Sequence, residues 1–257
     1  MPASDPVILV PRPAERSGAL LRALRNAGYD PDVVPMIRIE PAQDPDLIID
    51  LVGALAGGRF DWVAVTSASA VKPLLAAAAD LGLEFADALG ATRVAAVGAA
   101  TAAALRAAGV KVDLVATTSS TEGLLADWPA ADPQASHPPR VLLPHGNLAT
   151  PVLADGLRAR GWAVRTVVAY RTTPVPPPPR VVASWQRREY AGVVLTSSSV
   201  ARQLVATLGR PPAGMRVCCI GQTTAATARE LGLTVTVATD PSPRGLVEAL
   251  RARPDQR

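Results

Sequence analysis

Short apolar runs alternate along the chain with longer segments in which apolar residues recur every three or four positions. The first pattern predicts β-strands and the second predicts amphipathic helices. The predicted strands cover residues 7 to 10, 62 to 66, 93 to 97, 141 to 143, 193 to 196 and 217 to 220. Strands that alternate with helices are typical of α/β proteins, in which a doubly wound parallel sheet carries helices on both faces.

An internal repeat divides the pattern into two copies. Residues 10 to 28 match residues 143 to 161 without a gap at an offset of 133, with a proline and a glycine in the same register. Two more pairs of segments match at offsets of 130 and 123: residues 66 to 71 with 196 to 200, and residues 97 to 102 with 220 to 225. The chain therefore holds two copies of one α/β plan. The repeat is compatible with consecutive domains and with domains that exchange segments.

The composition is that of a folded protein, and it limits the classes of ligand that the protein is expected to bind. The 257 residues are 49% hydrophobic but only 4% aromatic, which is enough for one large or two small domains. The net charge is +4, yet the arginines are scattered singly and form no basic run, which disfavours nucleic-acid binding. A binding site for a small polyanionic ligand would explain the excess of positive charge. Solvated helix faces in a sequence that favours arginine would explain it equally well.

The ends of the chain and its cysteines indicate a cytoplasmic protein. The first ten residues carry Asp5 and only a short apolar run, so we expect no signal peptide, and no segment has the length of a membrane span. Cys218 and Cys219 are neighbours that point to opposite faces of a strand, so we expect reduced, buried thiols. They do not form a zinc-binding spacing with His137 or His145, and we expect no metal.

Hydroxyl side chains and glycines gather where predicted strands end and helices begin, which is where parallel sheets bind ligands. Free amide groups in the first turn of such a helix form an anion site. The candidate binding residues are Thr66, Ser67, Ser69, Gly98, Thr101, Thr196, Ser197, Ser198, Ser199, Gly221, Thr223 and Thr224. Helix capping alone explains any one segment. Their occurrence as matched pairs favours a site for carboxylates or phosphates, and the absence of glycine-rich nucleotide loops disfavours nucleotides.

Conventional catalytic groupings are almost absent from the sequence. There is no nucleophile elbow and no pair of acidic residues near a strand end, and we interpret His145 as a loop histidine. The candidate general acid is Tyr170, at the end of a strand that leads into the proline connector of residues 174 to 179. The alternative is an interface aromatic whose hydroxyl lies in water.

Six motifs in order resemble the uroporphyrinogen-III synthase family. They lie at residues 10 to 13, 61 to 71, 97 to 101, 169 to 172, 196 to 199 and 220 to 224, within a resemblance that covers residues 7 to 252. Each motif is weak, but their order and spacing are specific. The chain departs from the family where His145 stands for a frequent arginine, where Gln222 stands for a frequent proline, and where Val65 and Leu195 stand for phenylalanine.

The resemblance implies both a fold and a reaction. It implies two flavodoxin-like domains, residues 1–37 plus 174–257 and residues 38–173, joined by two antiparallel linker strands with the substrate in a cleft between them. The implied enzyme is a lyase of heme and porphyrin biosynthesis. It cyclises hydroxymethylbilane to uroporphyrinogen III, inverting ring D and losing water without a cofactor. Tyr170 would donate the proton to the leaving hydroxyl, and Arg12 and Arg171 would add positive charge.

Two other classes remain open at this point. A non-catalytic binding or sensor protein for an anionic small molecule such as a tetrapyrrole would also explain the doubled fold, but it would give Tyr170 no special place. A regulator descended from the synthase would carry an added DNA-binding segment, for which we expect no room in 257 residues. We expect a monomer that binds neither nucleic acid nor membranes.

Overall fold

The computed structural model describes residues 5–13, 17–131 and 137–252. In these ranges the strands are β1 (Val7–Val10), β2 (Asp30–Val33), β3 (Ile37–Pro41), β4 (Trp62–Val65), β5 (Arg93–Ala96), β6 (Leu114–Val115), β7 (Arg140–Gly146), β8 (Ala163–Pro174), β9 (Tyr190–Leu195), β10 (Arg216–Cys219) and β11 (Thr236–Val237). The helices are α1 (Gly18–Asn26), α2 (Pro45–Ala56), α3 (Val71–Asp80), α4 (Phe85–Leu89), α5 (Ala99–Ala107), α6 (Thr121–Ala126), α7 (Val152–Ala159), α8 (Pro179–Gln186), α9 (Ser198–Leu208), α10 (Gln222–Glu230) and α11 (Pro243–Arg251). The predicted α/β class is confirmed.

The chain divides into two compact units, each with its own sheet. Unit 1 comprises Met1–Arg38 with Thr173–Arg257, and unit 2 comprises Ile39–Thr172. The sheet of unit 1 has the order β11-β10-β9-β1-β2, and its neighbouring strands run parallel. Numbered along the chain within the unit, this is the flavodoxin-like order 2-1-3-4-5.

The sheet of unit 2 has the same order of five parallel strands, but the chain enters these strands at a different one. Its sheet has the order β3-β8-β7-β4-β5-β6, and the five strands from β8 to β6 run parallel to their neighbours. Strand β7 takes the place of β1, β8 that of β2, and β4, β5 and β6 those of β9, β10 and β11. The sheets therefore confirm the predicted repeat, and they show that the two copies exchange segments along the chain.

Alternating burial along each strand fills a core on both faces of each sheet. Ile8 and Val10 belong to one core of unit 1, whereas Leu9 belongs to the other. Cys218 and Cys219 follow the same rule: both are free and buried, and they lie in different cores. Burial raises the pKa of each thiol to about 12, so both stay protonated at neutral pH.

Strand β8 spans 12 residues and pairs with β3 at the edge of its sheet. The Val175 N–H donates to the Met36 carbonyl at 2.8 Å, and the Thr173 hydroxyl donates to the Arg38 carbonyl at 3.5 Å. Because the partners run in opposite directions along the two segments, this pairing is antiparallel. Both strands carry the chain from one unit to the other.

An ion pair fastens α8 to the sheet of unit 1. The Arg180 guanidinium donates to both carboxylate oxygens of Asp32, at 2.8 and 3.1 Å, and the Tyr190 hydroxyl donates to the same carboxylate at 2.6 Å. Burial opposes ionisation of Asp32, but these hydrogen bonds outweigh it and lower its pKa. Burial and the bond to Asp32 raise the pKa of Tyr190, so this tyrosine stays neutral.

Candidate functional site

In unit 1, α9 and α10 begin beside each other. Each follows one of two adjacent parallel strands, β9 and β10, whose carboxyl ends meet at one edge of the sheet. Ser197 caps α9, because its hydroxyl accepts a hydrogen bond from the Val200 N–H at 3.3 Å. Gly221 is extended and caps α10 without a side chain. The first amides of both helices lack intrahelical carbonyl partners, and the positive ends of both dipoles face the same edge.

The two helix starts are joined by hydroxyl contacts that the sequence pattern does not reveal. The Thr227 hydroxyl donates to the Ser198 hydroxyl at 2.8 Å, and the Ser198 hydroxyl contacts the Thr223 carbonyl at 3.4 Å. The Ser197 and Ser199 hydroxyls lie 3.1 Å apart. Ser198 therefore ties α9 to α10 in addition to facing this edge.

Arg12 belongs to the same edge of unit 1. It follows β1, which is the neighbour of β9, and its N–H donates to the Val10 carbonyl at 2.9 Å. Its side chain is half-buried, as is that of Thr196 at the end of β9. The carboxyl ends of β1, β9 and β10 thus bring Arg12 and two helix N-termini to one edge of the sheet.

Unit 2 repeats this design with one local change. Ser67 accepts a hydrogen bond from the Ser69 N–H at 3.2 Å and opens a 3-10 turn at Ala68–Ala70, so α3 begins only at Val71. In unit 1 the matching serine leads directly into an α-helix. Thr66 precedes the turn and is half-buried.

The Gly-x-x-Thr segments behave alike in the two units. Gly98 is extended and caps α5, as Gly221 caps α10. Thr101 and Thr224 follow three residues later and are only 4% and 5% exposed. Their side chains belong to the packed interior, so the backbone amides before them are what these helix ends can present to a ligand.

A further matched pair of strand ends was missed in the sequence reading. Residues 115 to 124 and 237 to 246 share Val-Ala-Thr, a serine and Gly-Leu at an offset of 122. Ser120 and Ser242 cap the following helices, accepting from Gly123 and Gly245 N–H groups at 2.9 and 3.1 Å. The offset close to 123 was the signal that could have revealed this pair.

This segment also packs against the Gly98 cap in unit 2. A Cβ built on Gly98 would lie 2.5 Å from the Ser119 hydroxyl, whereas a Cβ on Gly221 would meet nothing within 4 Å. Ser119 therefore stands beside the start of α5. The corresponding edge in unit 1 is more open at Gly221.

Tyr170 lies over the end of β7 in unit 2. A Cβ built on Gly146 would be 2.6 Å from the Tyr170 Cζ atom and 2.8 Å from its hydroxyl oxygen, so the ring covers the bare Cα of that glycine. Strand β7 is also the neighbour of β4. Tyr170 therefore reaches the same sheet edge as Thr66 and Gly98.

Two neighbours complete this end of unit 2. The Nε atom of Arg171 is buried and has no hydrogen-bond partner among the residues that the structure describes. His145 was expected in a loop, but it belongs to β7, where its Nδ1 lies 2.9 Å from the Gly146 carbonyl. The loop interpretation was wrong because β7 runs three residues beyond the predicted strand of residues 141 to 143 and pairs with the long strand β8.

Metal-binding clusters and membrane-spanning helices are both absent from the part of the chain that the structure describes. Within the described ranges, no group of three His, Cys, Asp or Glu side chains could hold a metal ion. No helix in the same ranges has the length and apolar content needed to cross a bilayer. Among the described residues, the polar groups near these edges include helix N-termini, hydroxyl groups, Arg12, Arg171, His145 and Tyr170.

The fold and these edges define a class: a two-unit α/β protein whose doubly wound sheets carry matched hydroxyl- and glycine-rich strand ends. Residues 18–248 match the sequence model of the uroporphyrinogen-III synthase HemD family. The chain belongs to that family.

Individual relatives agree with this assignment. The chain is 26% identical over 233 residues to a porphyrin biosynthesis protein HemD of Ruminiclostridium josui, a match that covers 90% of this chain but only 45% of that protein. A mutant uroporphyrinogen III synthase from the extremely thermophilic bacterium Thermus thermophilus superposes with a TM-score of 0.72 at 23% identity, covering 95% of this chain and 97% of that one. The synthetase from Helicobacter pylori 26695 gives a TM-score of 0.58 at 18% identity, with 96% and 100% covered. At these identities the two structures support the fold.

Proposed function

We propose that this chain is a uroporphyrinogen-III synthase, which cyclises hydroxymethylbilane to uroporphyrinogen III with inversion of ring D and loss of water. The observation that carries the proposal is the family match across residues 18–248. That range contains each proposed site residue except Arg12. The matched strand ends supply the polar groups that a flexible polycarboxylate requires.

The acetate and propionate arms of the substrate would be bound mainly by backbone amides and hydroxyl groups. Helix N-termini attract anions through their free N–H groups and their dipoles. Each unit offers such ends after two adjacent strands, at α9 and α10 in unit 1 and at the 3-10 turn and α5 in unit 2. Arg12 and Arg171 would add charge, and the unpartnered Nε of Arg171 gives it a donor to offer.

Tyr170 would act as the general acid. Its hydroxyl donates a proton to the terminal hydroxyl of the substrate, the C–O bond breaks, and water leaves behind an electrophilic azafulvene. The substituted α-carbon of ring D attacks this centre to give a spiro intermediate. The bond from that carbon to the ring C methylene then breaks, which forms a second azafulvene, and the free α-carbon of ring D attacks this methylene to close the macrocycle with ring D inverted. The proton that this carbon loses as the pyrrole becomes aromatic returns to the Tyr170 phenolate and balances the one donated. The protein thus supplies one proton and a geometry, which are the two contributions that general acid catalysis and orientation provide.

The decisive assay supplies hydroxymethylbilane and measures which ring isomer forms. The substrate cyclises unaided to the unrearranged isomer, so the rate and the isomer ratio together separate enzyme from background. We expect uroporphyrinogen III to dominate. Formation of the unrearranged isomer alone, at the uncatalysed rate, would reject the proposal and leave a non-catalytic binding protein.

Tyr170→Phe tests the acid. Removing the proton donor should lower kcat by about 10²- to 10⁴-fold, the usual contribution of general acid catalysis, and leave product affinity nearly unchanged. Tyr29→Phe is the matched control, because Tyr29 is buried in the unit 1 core. Near-normal turnover of the Tyr170 variant would remove this residue from the mechanism.

We also propose that the protein acts as a cytoplasmic monomer that does not bind nucleic acid. The buried, free cysteines and the scattered arginines support this view. Light scattering coupled to gel filtration tests the oligomeric state, and a mass of twice the chain would contradict a monomer.

A further inference from the structure

The side chain of Asn147 pairs with the backbone of β8 as another strand would. The Thr172 N–H donates to Asn147 Oδ1 at 2.7 Å, and Asn147 Nδ2 donates to the Thr172 carbonyl at 3.4 Å. The Asn147 backbone N–H also donates to the Tyr170 carbonyl at 3.2 Å. A single residue therefore holds β8 on both sides of Arg171.

These bonds lie where the regular ladder between β7 and β8 ends. The strands pair in step from Arg140 with Ala163 to His145 with Val168, and then Gly146 pairs with Tyr170. The register shift leaves Ala169 as an extra residue on β8. Such a bulge redirects the side chains that follow it. Because β7 stops at Gly146, Asn147 supplies the pairing that fixes the strand beyond the bulge.

Gly146 supplies the space for the redirected ring. Its backbone is not in the left-handed region, so a glycine is not required there for conformational reasons. The contact distance is what excludes a larger residue, since a Cβ at this position would lie 2.6 Å from Tyr170 Cζ. The ring occupies the place that a side chain of residue 146 would take.

We propose that Asn147 is a positioning residue for the reaction. Its amide holds Thr172, and with the bare Cα of Gly146 it fixes the Tyr170 hydroxyl at the sheet edge. The inference rests on the proposed function in one respect, namely that Tyr170 is the proton donor. Asn147 acts through Tyr170 and makes no contact with the reacting atoms.

A double-mutant cycle in kcat tests this role. Asn147→Ala should lower kcat about ten- to hundredfold, because loosening of the strand misplaces the hydroxyl. The double variant Asn147→Ala with Tyr170→Phe should be no slower than Tyr170→Phe alone. Losses that multiply in the double variant would show that Asn147 acts independently of the tyrosine and would overturn the proposal.

The variant Asn147→Asp distinguishes a role in positioning Tyr170 from a general effect on the structure. It keeps the acceptor for the 2.7 Å bond from the Thr172 N–H. We expect it to retain most of kcat while its negative charge raises KM for the polyanionic substrate. A kcat as low as that of Asn147→Ala would contradict the assigned hydrogen bond. Asn26→Ala, which removes an exposed asparagine at the end of α1, is the control for the chemical change.

A second readout does not depend on activity. The chain has three tyrosines, so fluorotyrosine labelling should give three fluorine resonances, with that of Tyr170 assigned by Tyr170→Phe. Asn147→Ala should shift and broaden this resonance alone, and Asn147→Asp should leave it near its parental position. An unchanged Tyr170 resonance in Asn147→Ala would overturn the proposal. If the parent chain makes no uroporphyrinogen III, the proposed function fails, and these spectra still decide whether Asn147 fixes the ring.

Discussion

Gly146→Ala is the sharpest perturbation of the candidate site, because it adds one carbon atom directly beneath the Tyr170 ring. Carbon atoms in contact are normally about 3.5–4.0 Å apart. The new Cβ would be 2.6 Å from Tyr170 Cζ, so the ring must move by about 1 Å. The backbone at Gly146 accepts alanine without strain, since its φ is not positive. The effect of the substitution is therefore confined to the ring.

The expected magnitude follows from this displacement. A misplacement of about 1 Å in a catalytic group lowers the rate about 10²-fold, or about 2.7 kcal/mol in activation free energy. Overpacking should reduce the free energy of unfolding by about 1–3 kcal/mol, which leaves the protein folded. We expect kcat to fall far more than the loss of folded protein would explain. We also expect the unrearranged isomer to form a larger share of the product.

Kinetics and unfolding should be measured on the same preparations. Gly53→Ala is the matched control. Gly53 lies within helix α2, and a Cβ added there would meet only a Leu81 methyl group, at 3.7 Å. This control should keep its kcat and gain about 0.5–1 kcal/mol in stability. A Gly146→Ala protein with parental kcat and isomer ratio would refute the placement of the Tyr170 ring. A decrease in kcat that is fully explained by the unfolded fraction of the protein would refute a catalytic role for Tyr170.

Two further predictions concern stability. Because the pKa of Asp32 is lowered in the folded protein, its ionised form stabilises the fold at pH values above the ordinary carboxyl pKa of about 3.9, and this contribution is lost as the pH falls through the lowered pKa. The difference in unfolding free energy between the parent and Asp32→Asn should therefore be largest near neutral pH and shrink in acid; a difference that does not vary with pH would contradict the assigned bonds. Gly98→Ala should destabilise the protein by about 1–3 kcal/mol, because its Cβ would be 2.5 Å from a serine hydroxyl. Gly221→Ala meets nothing within 4 Å and should change the unfolding free energy by no more than about 0.5 kcal/mol in urea titrations; equal effects of the two substitutions would show that the serine does not pack as described.

Much of the fold could be predicted because its signals are local. The apolar runs predicted buried strands, and glycines at positive φ, such as Gly28 and Gly161, ended helices at matching positions of the two copies. The adjacent cysteines were expected on opposite faces, and they lie in different cores. Strands β2, β3, β6 and β11 are absent from the predicted strand ranges, because β6 and β11 have only two residues each and β2 and β3 carry charged residues between apolar ones. The matched serine caps that follow β6 and β11 were missed with them.

The candidate site was predictable only in part. Serines at strand ends can be predicted from sequence to cap helices. Ser197 and Ser67 both accept hydrogen bonds from backbone N–H groups of the turns that follow them. Thr227 gave no such signal, because its bond to Ser198 joins two helices whose starts are brought together by adjacent strands. Whether these groups bind the substrate stays a prediction.

The sequence by itself determined the class of the protein: the alternation of strands and helices, the existence of two copies and the residue types at their strand ends all follow from local patterns. Only the tertiary structure decided which strands are neighbours and that Asn147 and Gly146 surround Tyr170. The physical reason is that neighbours in parallel sheets are joined through long crossovers, so their pairing depends on packing between distant segments. A bulge of one residue in that pairing then redirects every side chain beyond it.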